Sequence, residues 1–177
     1  LSLRLAAHRH DEISGLMLYA PTLSVNGWAI PHSLKFFHLV SDKWTARLFK
    51  FRTPAPHGIK DERVRNFALE ALKGDGALAS DIPVRGGGTV WEIFLLVRNV
   101  RPLLSKIRHH ALIFHPRSDD QSDIRNTMHL QRKLSGMVEV CVLDDSYHLV
   151  TLDKQRGYVA ERSIEFADRI LARKAVQ

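Results

Sequence analysis

Three short apolar runs stand out from the pattern of hydrophobic and polar positions along the chain. They cover residues 13–20, 110–115 and 138–143, and a proline follows each of the first two. Apolar runs of this length, bounded by turn residues, are typical of strands that are buried on both faces. The sequence therefore predicts a buried strand within residues 13–20 and two further strands at 110–115 and 138–143.

Amphipathic stretches lie around these runs. Residues 1–10 have the pattern of the end of a helix, Ser122 can cap a helix that closes at Gly136, and residues 156–174 carry apolar side chains at helical spacing. Strands that alternate with helices predict an α/β fold, in which parallel strands are covered by helices.

Residues 21–106 have a different character. Glycine, proline and asparagine are dense there, and between these turn signals helical patterns run from 60 to 73 and onward from Thr89, which has a capping-box spacing to Glu92. The segment therefore predicts short helices joined by turns rather than further strands of the sheet.

Length and composition indicate one globular domain, or part of one. The 177 residues are 45% hydrophobic and 25% charged, which is ordinary for a folded chain. A single cysteine excludes a disulfide framework, and no apolar stretch reaches the ~18 residues of a membrane span. Charged residues interrupt the first ten positions, so they do not form a secretory signal, and we expect a cytoplasmic protein.

The net charge of +7 is concentrated in the middle of the chain. Residues 21–110 hold 14 basic and 7 acidic residues, whereas the segments on either side are neutral. The same segment contains all three tryptophans. Such a segment can contact an anionic membrane surface or an acidic substrate, and the simpler interpretation is a solvated helical surface with inward-packed aromatics. We do not expect nucleic-acid binding.

Candidate chemistry follows two of the predicted strands. Asp119 and Asp120 come after the strand at 110–115, and His148 comes after the strand at 138–143. Ligands of open α/β sheets bind at the carboxyl ends of the strands, where these residues are expected to meet. An acid beside a histidine is the orienting half of a Ser-His-Asp relay. The structural alternatives are a helix-capping aspartate and a packing histidine.

The stretch 111–166 resembles the C-terminal part of α/β-hydrolase-fold serine hydrolases, in the carboxylesterase and monoacylglycerol-lipase-like branch. Its segment His115-Pro116-Arg117-Ser118-Asp119 is similar to the family's acid turn, usually His-Gly-x-x-Asp, and residues 145–153 are similar to its catalytic-histidine loop. The resemblance implies that Asp119 is the triad acid and His148 the base. Asp120 is the alternative acid, because it is adjacent.

The resemblance also implies a division of the chain. Residues 1–20 and 107–177 would form the hydrolase core, and residues 21–106 a helical lid inserted into it. Aromatic side chains of a lid suit an acyl or aromatic pocket, and packing of the lid onto the core is the alternative. The candidates for substrate contact are Trp28, Phe36, Phe37 and Trp91.

The nucleophile of the family pattern is missing. The family's serine precedes the acid and lies in a Gly-x-Ser-x-Gly turn, a pentapeptide that these 177 residues do not contain. The chain starts at Leu1, without a methionine, inside the helix expected after that turn. We therefore expect the C-terminal portion of a hydrolase, inactive by itself, whose partner is the missing N-terminal half of the same fold.

The leading functional prediction is hydrolysis of a small-molecule ester or a lipid. One alternative keeps the fold with other chemistry, such as thioester, amide or C–C bond hydrolysis or acyl transfer, because a fold does not decide its chemistry. A second alternative is a non-catalytic basic binding module. No cofactor and no metal are expected, since the paired histidines at 8/10 and 109/110 lack the i, i+4 spacing of a helical zinc site.

Overall fold

A parallel sheet with helices on both faces forms the body of the protein. The computed structural model describes residues 1–31, 34, 37–40, 42–52, 55–73 and 84–174. In these ranges the elements are α1 (Ser2–His8), β1 (Leu16–Tyr19), α2 (Lys43–Arg47), β2 (Lys50–Arg52), α3 (Glu62–Lys73), β3 (Val84–Gly86), α4 (Gly87–Val100), β4 (Ala111–Pro116), α5 (Arg125–Lys133), β5 (Val138–Leu143) and α6 (Arg156–Lys174).

The three predicted strands are confirmed and pair in parallel, in the order β1-β4-β5. Leu16 aligns with Ala111, which in turn aligns with Val138. Every residue of β4 is buried, because this strand lies between two neighbours and beneath helices on both faces. The loops that follow β4 and β5 therefore leave the sheet at the same edge.

The two faces of β4 pack into two separate cores, as the period of two along a strand requires. Ala111 and Ile113 pack with residues of α1 and α5 on one face. Leu112 and Phe114 pack on the other face, where α6 contributes Phe166. Of the apolar positions predicted for residues 156–174, Phe166 and its neighbours in this core cover the sheet, whereas Ile164 and Leu171 are exposed.

The described part of residues 21–106 has a small core of its own, although residues at both ends of the segment pack in the core beneath β4, and it contains elements that the sequence did not predict. Phe37 is 3% exposed in this core, together with Ala46 and Val90. The unpredicted elements are the helix α2 and an antiparallel pair of short strands, β2 and β3. Strands of three residues are too short to produce a recognisable alternation.

Two predicted helix caps are wrong. The helix α4 begins at Gly87, with Gly86 at the N-cap, rather than at Thr89. A Cβ on Gly87 would lie 2.1 Å from the carbonyl oxygen of Ala46, so close packing selects glycine there. The helix α5 begins at Arg125 instead of directly after Ser122, because the loop before it is held by other contacts described below. None of the helices in the described ranges is long and apolar enough to cross a membrane.

Candidate functional site

The acid turn after β4 is folded around the carboxylate of Asp119. This side chain is 3% exposed, and its Oδ1 accepts hydrogen bonds from the backbone N–H groups of Gln121 and Ser122, each at 2.8 Å. An aspartate that bonds to the backbone two and three residues ahead closes a local turn. The turn fixes the carboxylate and leaves Oδ2 facing away from the loop backbone.

The structure brings His148 to that carboxylate. Its Nδ1 lies 2.9 Å from Oδ2 of Asp119 and 3.1 Å from Oδ1. A carboxylate accepts, so Nδ1–H donates and the second ring nitrogen, Nε2, carries the lone pair. The His148 side chain is 19% exposed, and no described residue forms a hydrogen bond with Nε2. The ring is therefore oriented by the acid at one nitrogen and open to a further partner at the other.

This pair meets because β4 and β5 are adjacent and parallel. Pro116 aligns with Leu143, and the N–H of Arg117 donates to the carbonyl of Leu143 at 2.8 Å, which extends the pairing one step beyond the strands. The two loops begin at the same level of the sheet, as expected for a ligand site at the carboxyl edge.

Asp120 does not touch the imidazole of His148. Its Oδ2 accepts from the backbone N–H of Gly58 at 2.8 Å, and its Oδ1 lies 3.4 Å from the backbone nitrogen of His148. The side chain is fully buried, and burial raises the pKa of Asp120. Of the two adjacent acids, Asp119 is the one that contacts the ring.

The fully buried His115 fixes the acid turn from the interior of the protein. The Nε2–H of His115 donates to the carbonyl of Ser122 at 2.8 Å, and Nδ1 accepts from the hydroxyl of Thr127 at 2.8 Å. Both nitrogens are used in the neutral form, and burial lowers the pKa of His115. This histidine fixes the loop between β4 and α5, which explains why α5 begins later than predicted.

Residues 58–61, here called the brace, belong to the helical segment 21–106. They connect it to residues 145–153, the histidine loop that carries His148. The brace begins at Gly58, whose φ of +80° favours glycine and whose carbonyl accepts from the N–H of Leu149 at 2.8 Å. It ends at Asp61, whose Oδ1 accepts from the N–H groups of Arg63 and Val64 and so caps α3. The start of α3 is thereby fixed next to the loop that carries His148.

Asp153 holds the brace and the histidine loop together, and the sequence did not single it out. Its fully buried carboxylate accepts four backbone N–H groups: Oδ2 from Lys60 at 2.8 Å and Tyr147 at 2.7 Å, and Oδ1 from Asp61 and Lys154 at 2.9 Å each. Its partners lie up to 93 residues away, so no local spacing could have identified it.

An ion pair links the same two segments at the surface. The ammonium of Lys60 lies 2.7 Å from Oδ1 of Asp145. This contact raises the pKa of Lys60 and lowers the pKa of Asp145. Both side chains reach solvent, so this ion pair stabilises the contact between the brace and the histidine loop less than the buried carboxylate of Asp153 does.

The predicted substrate-contact residues fall in two places. Trp28 lies at the site: its indole N–H donates to the carbonyl of Ser118 at 3.1 Å, and its ring meets that of Tyr147 edge-on at 5.6 Å. These partners directly precede Asp119 and His148, so the half-exposed Trp28 spans the two loops. Phe36 lies outside the described residues.

Phe37 and Trp91 instead line a cavity of about 720 Å³ in the helical segment. The described lining of this cavity does not include Asp119, His148 or Trp28. No group of three or more histidine, cysteine, aspartate or glutamate side chains that could hold a metal occurs in the part of the chain that the structure describes.

The sequence of this chain matches no protein-family model and no curated protein sequence. Its structure does have counterparts. A structure reported for LipS and LipT, two metagenome-derived lipolytic enzymes, superposes with a TM-score of 0.69 at 21% identity, over 94% of this chain and 60% of that one. The chain has the fold of the C-terminal part of an α/β-hydrolase.

Two further α/β-hydrolase structures agree. A monoacylglycerol lipase from Paleococcus ferrophilus superposes with a TM-score of 0.66 at 14% identity, over 97% of this chain and 63% of that one. A soluble variant of monoglyceride lipase from Saccharomyces cerevisiae, in complex with a substrate analogue, gives 0.67 at 17% identity, over 95% and 58%. The chain thus spans about 60% of the length of these α/β-hydrolases.

Proposed function

We propose that this chain supplies the acid and the histidine of a serine ester hydrolase, similar to carboxylesterases and monoacylglycerol lipases. The observation that carries the proposal is the 2.9 Å contact between Oδ2 of Asp119 and Nδ1 of His148 at the carboxyl edge of the sheet. In an α/β-hydrolase the triad follows the chain order serine, acid, histidine, and these two residues have the last two places.

Each residue has a defined task in this proposal. Nε2 of His148 takes the proton of the serine hydroxyl as the serine attacks the ester carbonyl, and later gives it to the leaving alcohol. Asp119 holds the ring in the Nδ1–H tautomer and stabilises the imidazolium that forms. Water then enters, and His148 takes its proton as the acyl-enzyme is hydrolysed.

The serine is proposed to lie upstream of Leu1. None of the serines of this chain lies in a Gly-x-Ser-x-Gly turn. In the described structure β1 pairs with β4 along one side, and α1 precedes β1. A strand added beside β1 and joined by a turn to α1 would bring a serine to the same carboxyl edge as His148.

The proposed substrate is a small-molecule ester or a lipid. Support comes from the structural counterparts, whose names describe lipolytic enzymes and monoglyceride lipases. Residues 21–106 would act as the lid over the site, tied to it by the brace and by Trp28. The basic residues of this segment would favour an anionic membrane surface as the place of action.

The test uses the intact protein, meaning this chain preceded by its upstream residues. It should hydrolyse p-nitrophenyl esters and react with a fluorophosphonate probe at a serine before Leu1. His148→Ala should lower kcat by about 10⁴-fold or more, because the general base is lost. His8→Ala, at an exposed histidine of α1, is the matched control and should retain full activity. Unchanged turnover in His148→Ala would refute the proposal.

A further inference from the structure

The cavity in the helical segment has an uneven lining. It lies between described residues of the segment 23–40 and one face of α4, and it has a volume of about 720 Å³, which is within the range of small-molecule sites. Trp91, Phe94, Arg98 and Arg101 follow one another on that face at intervals of three and four residues. Helical spacing thus directs all four side chains toward the same space.

The polarity of this face changes along the helix. Trp91 and Phe94 come first and pack against the small core that holds Leu34 and Phe37, with the ring centroids of Phe37 and Phe94 6.0 Å apart, which makes this end of the lining apolar. Arg98 comes about one turn later, and Arg101 one turn after that. At 1.5 Å per residue, Trp91 and Arg98 are separated by roughly 10 Å along the axis. The cavity is therefore apolar at one end and cationic at the other.

The two arginines are not neutralised by acidic neighbours. Both are exposed, and within the described ranges neither guanidinium has a carboxylate within 4 Å. Arg101 donates from Nη2 to the carbonyl of Leu23 at 3.3 Å, which leaves most of its donors unused. Burial, and next the charge of Arg101, lower the pKa of the nearby His129. The cationic end thus carries an unbalanced positive potential.

This cavity also adjoins the proposed site. Asn26 lines it, and the side-chain Oδ1 of Asn26 accepts from the N–H of Asp123 at 3.0 Å, in the loop that carries Asp119. The neighbouring Trp28 contacts both loops of the site. The stretch of chain at residues 26–28 therefore lies between the cavity and the acid turn.

We propose that this cavity binds a single-chain amphiphile with its alkyl chain against Trp91 and Phe94 and an anionic group, a carboxylate or a phosphate, on Arg98 and Arg101. Guanidinium groups form their strongest hydrogen bonds with such oxyanions. A neutral ligand would fill the apolar end without giving the two guanidinium groups an anionic partner. The reading of this amphiphile as substrate or product rests on the proposed function, whereas the binding itself does not.

Binding is measured with the 177-residue chain. Replacing Trp28 and Trp44 with phenylalanine leaves Trp91, inside the cavity, as the fluorescent reporter. The probes are dodecyl phosphate, dodecanoate and dodecanol, which share the alkyl chain and differ in the head group. We expect at least one anionic probe to bind about tenfold or more tightly than dodecanol, since bonds to charged groups are the strong ones. Preference for the phosphate would indicate a phospholipid source, and preference for the carboxylate a fatty-acid source.

The arginine variants decide the outcome. Arg98→Gln combined with Arg101→Gln should weaken the anionic probes about tenfold or more and leave dodecanol unchanged. The charge-matched control combines Arg4→Gln and Arg108→Gln, at exposed positions outside the cavity, and should bind as the parent does. Circular dichroism verifies that each variant is folded. Equal affinity for the three probes, no fluorescence response, or an unaffected arginine variant would overturn the inference.

A further variant separates this inference from the proposed hydrolase activity. His148→Ala should bind the anionic probes unchanged, because His148 does not line the cavity in the described structure. Arginine-dependent binding, with no ester turnover by the intact protein, would refute the proposed function alone. Turnover without arginine-dependent binding would refute the ligand class alone.

Discussion

Replacing Asp119 with asparagine separates the two tasks of its carboxylate. Oδ1 holds the loop through the N–H groups of Gln121 and Ser122, whereas Oδ2 accepts from Nδ1–H of His148. Asparagine keeps one oxygen for the loop and places its NH₂ group where Oδ2 was. An NH₂ group cannot accept a proton, so the imidazole must change to the tautomer whose Nδ1 accepts and whose Nε2 carries the hydrogen.

The expected loss of activity follows from that tautomer. With a hydrogen on Nε2, His148 has no lone pair for the serine proton, and the general base is lost. The corresponding change in the reference serine-protease triad lowers kcat by about 10⁴-fold. We expect a decrease of roughly 10³- to 10⁴-fold here, equal to about 4–5.5 kcal/mol of activation free energy, with little change in KM.

The assay combines turnover with a direct measurement of the tautomer. Kinetics of p-nitrophenyl ester hydrolysis by the intact protein give kcat and KM. ¹⁵N NMR of the His148 ring in the 177-residue chain reports which nitrogen carries the hydrogen, independently of turnover. The control is Asp120→Asn, because Asp120 contacts Gly58 and the His148 backbone but not the ring. It should change kcat by less than about tenfold.

Three results would refute this reasoning. Turnover of Asp119→Asn within tenfold of the parent would show that its carboxylate does not orient the base. A large loss in Asp120→Asn, with Asp119→Asn active, would move the triad acid by one residue. An unchanged Nδ1–H signal in Asp119→Asn would contradict the tautomer argument even if activity were lost.

Three further predictions concern stability. Asp153→Asn should lower the free energy of unfolding by roughly 2–5 kcal/mol, because two of four buried backbone donors lose their acceptor. Urea titrations measure this loss, and a value below about 0.5 kcal/mol, half of one hydrogen bond, would contradict the prediction. Gly27→Ala should cost about 3 kcal/mol or more, seen as a lower Tm, because the new Cβ would lie 2.3 Å from the carbonyl carbon of Asp120. Burial lowers the pKa of His115, so the unfolded state binds the proton first and the parent loses stability as the pH falls through the ordinary histidine pKa. His115→Gln should reduce the dependence of the urea midpoint on pH in that range. A midpoint that depends on pH as strongly as the parent's would show that another group binds the proton.

Much of the fold was predictable because its signals are local. A short apolar run indicates a strand wherever it occurs, and the strands at 110–115 and 138–143 were located to within a residue. The order of Asp119 and His148 after neighbouring strands likewise placed them at one edge. The β2–β3 pair was not predictable, because three residues carry no clear period.

The sequence by itself determined the parallel sheet, the covering helices and the two loops that carry the candidate acid and base. Only the tertiary structure decided which acid faces the ring, because that depends on how the turn closes around the Oδ1 of Asp119. It also revealed the role of Asp153, whose partners in the brace lie more than 90 residues away in sequence. The periodicity of apolar positions predicts which face of its own helix or strand a residue occupies. Contacts between distant loops form only when the chain folds, so no local pattern predicts them.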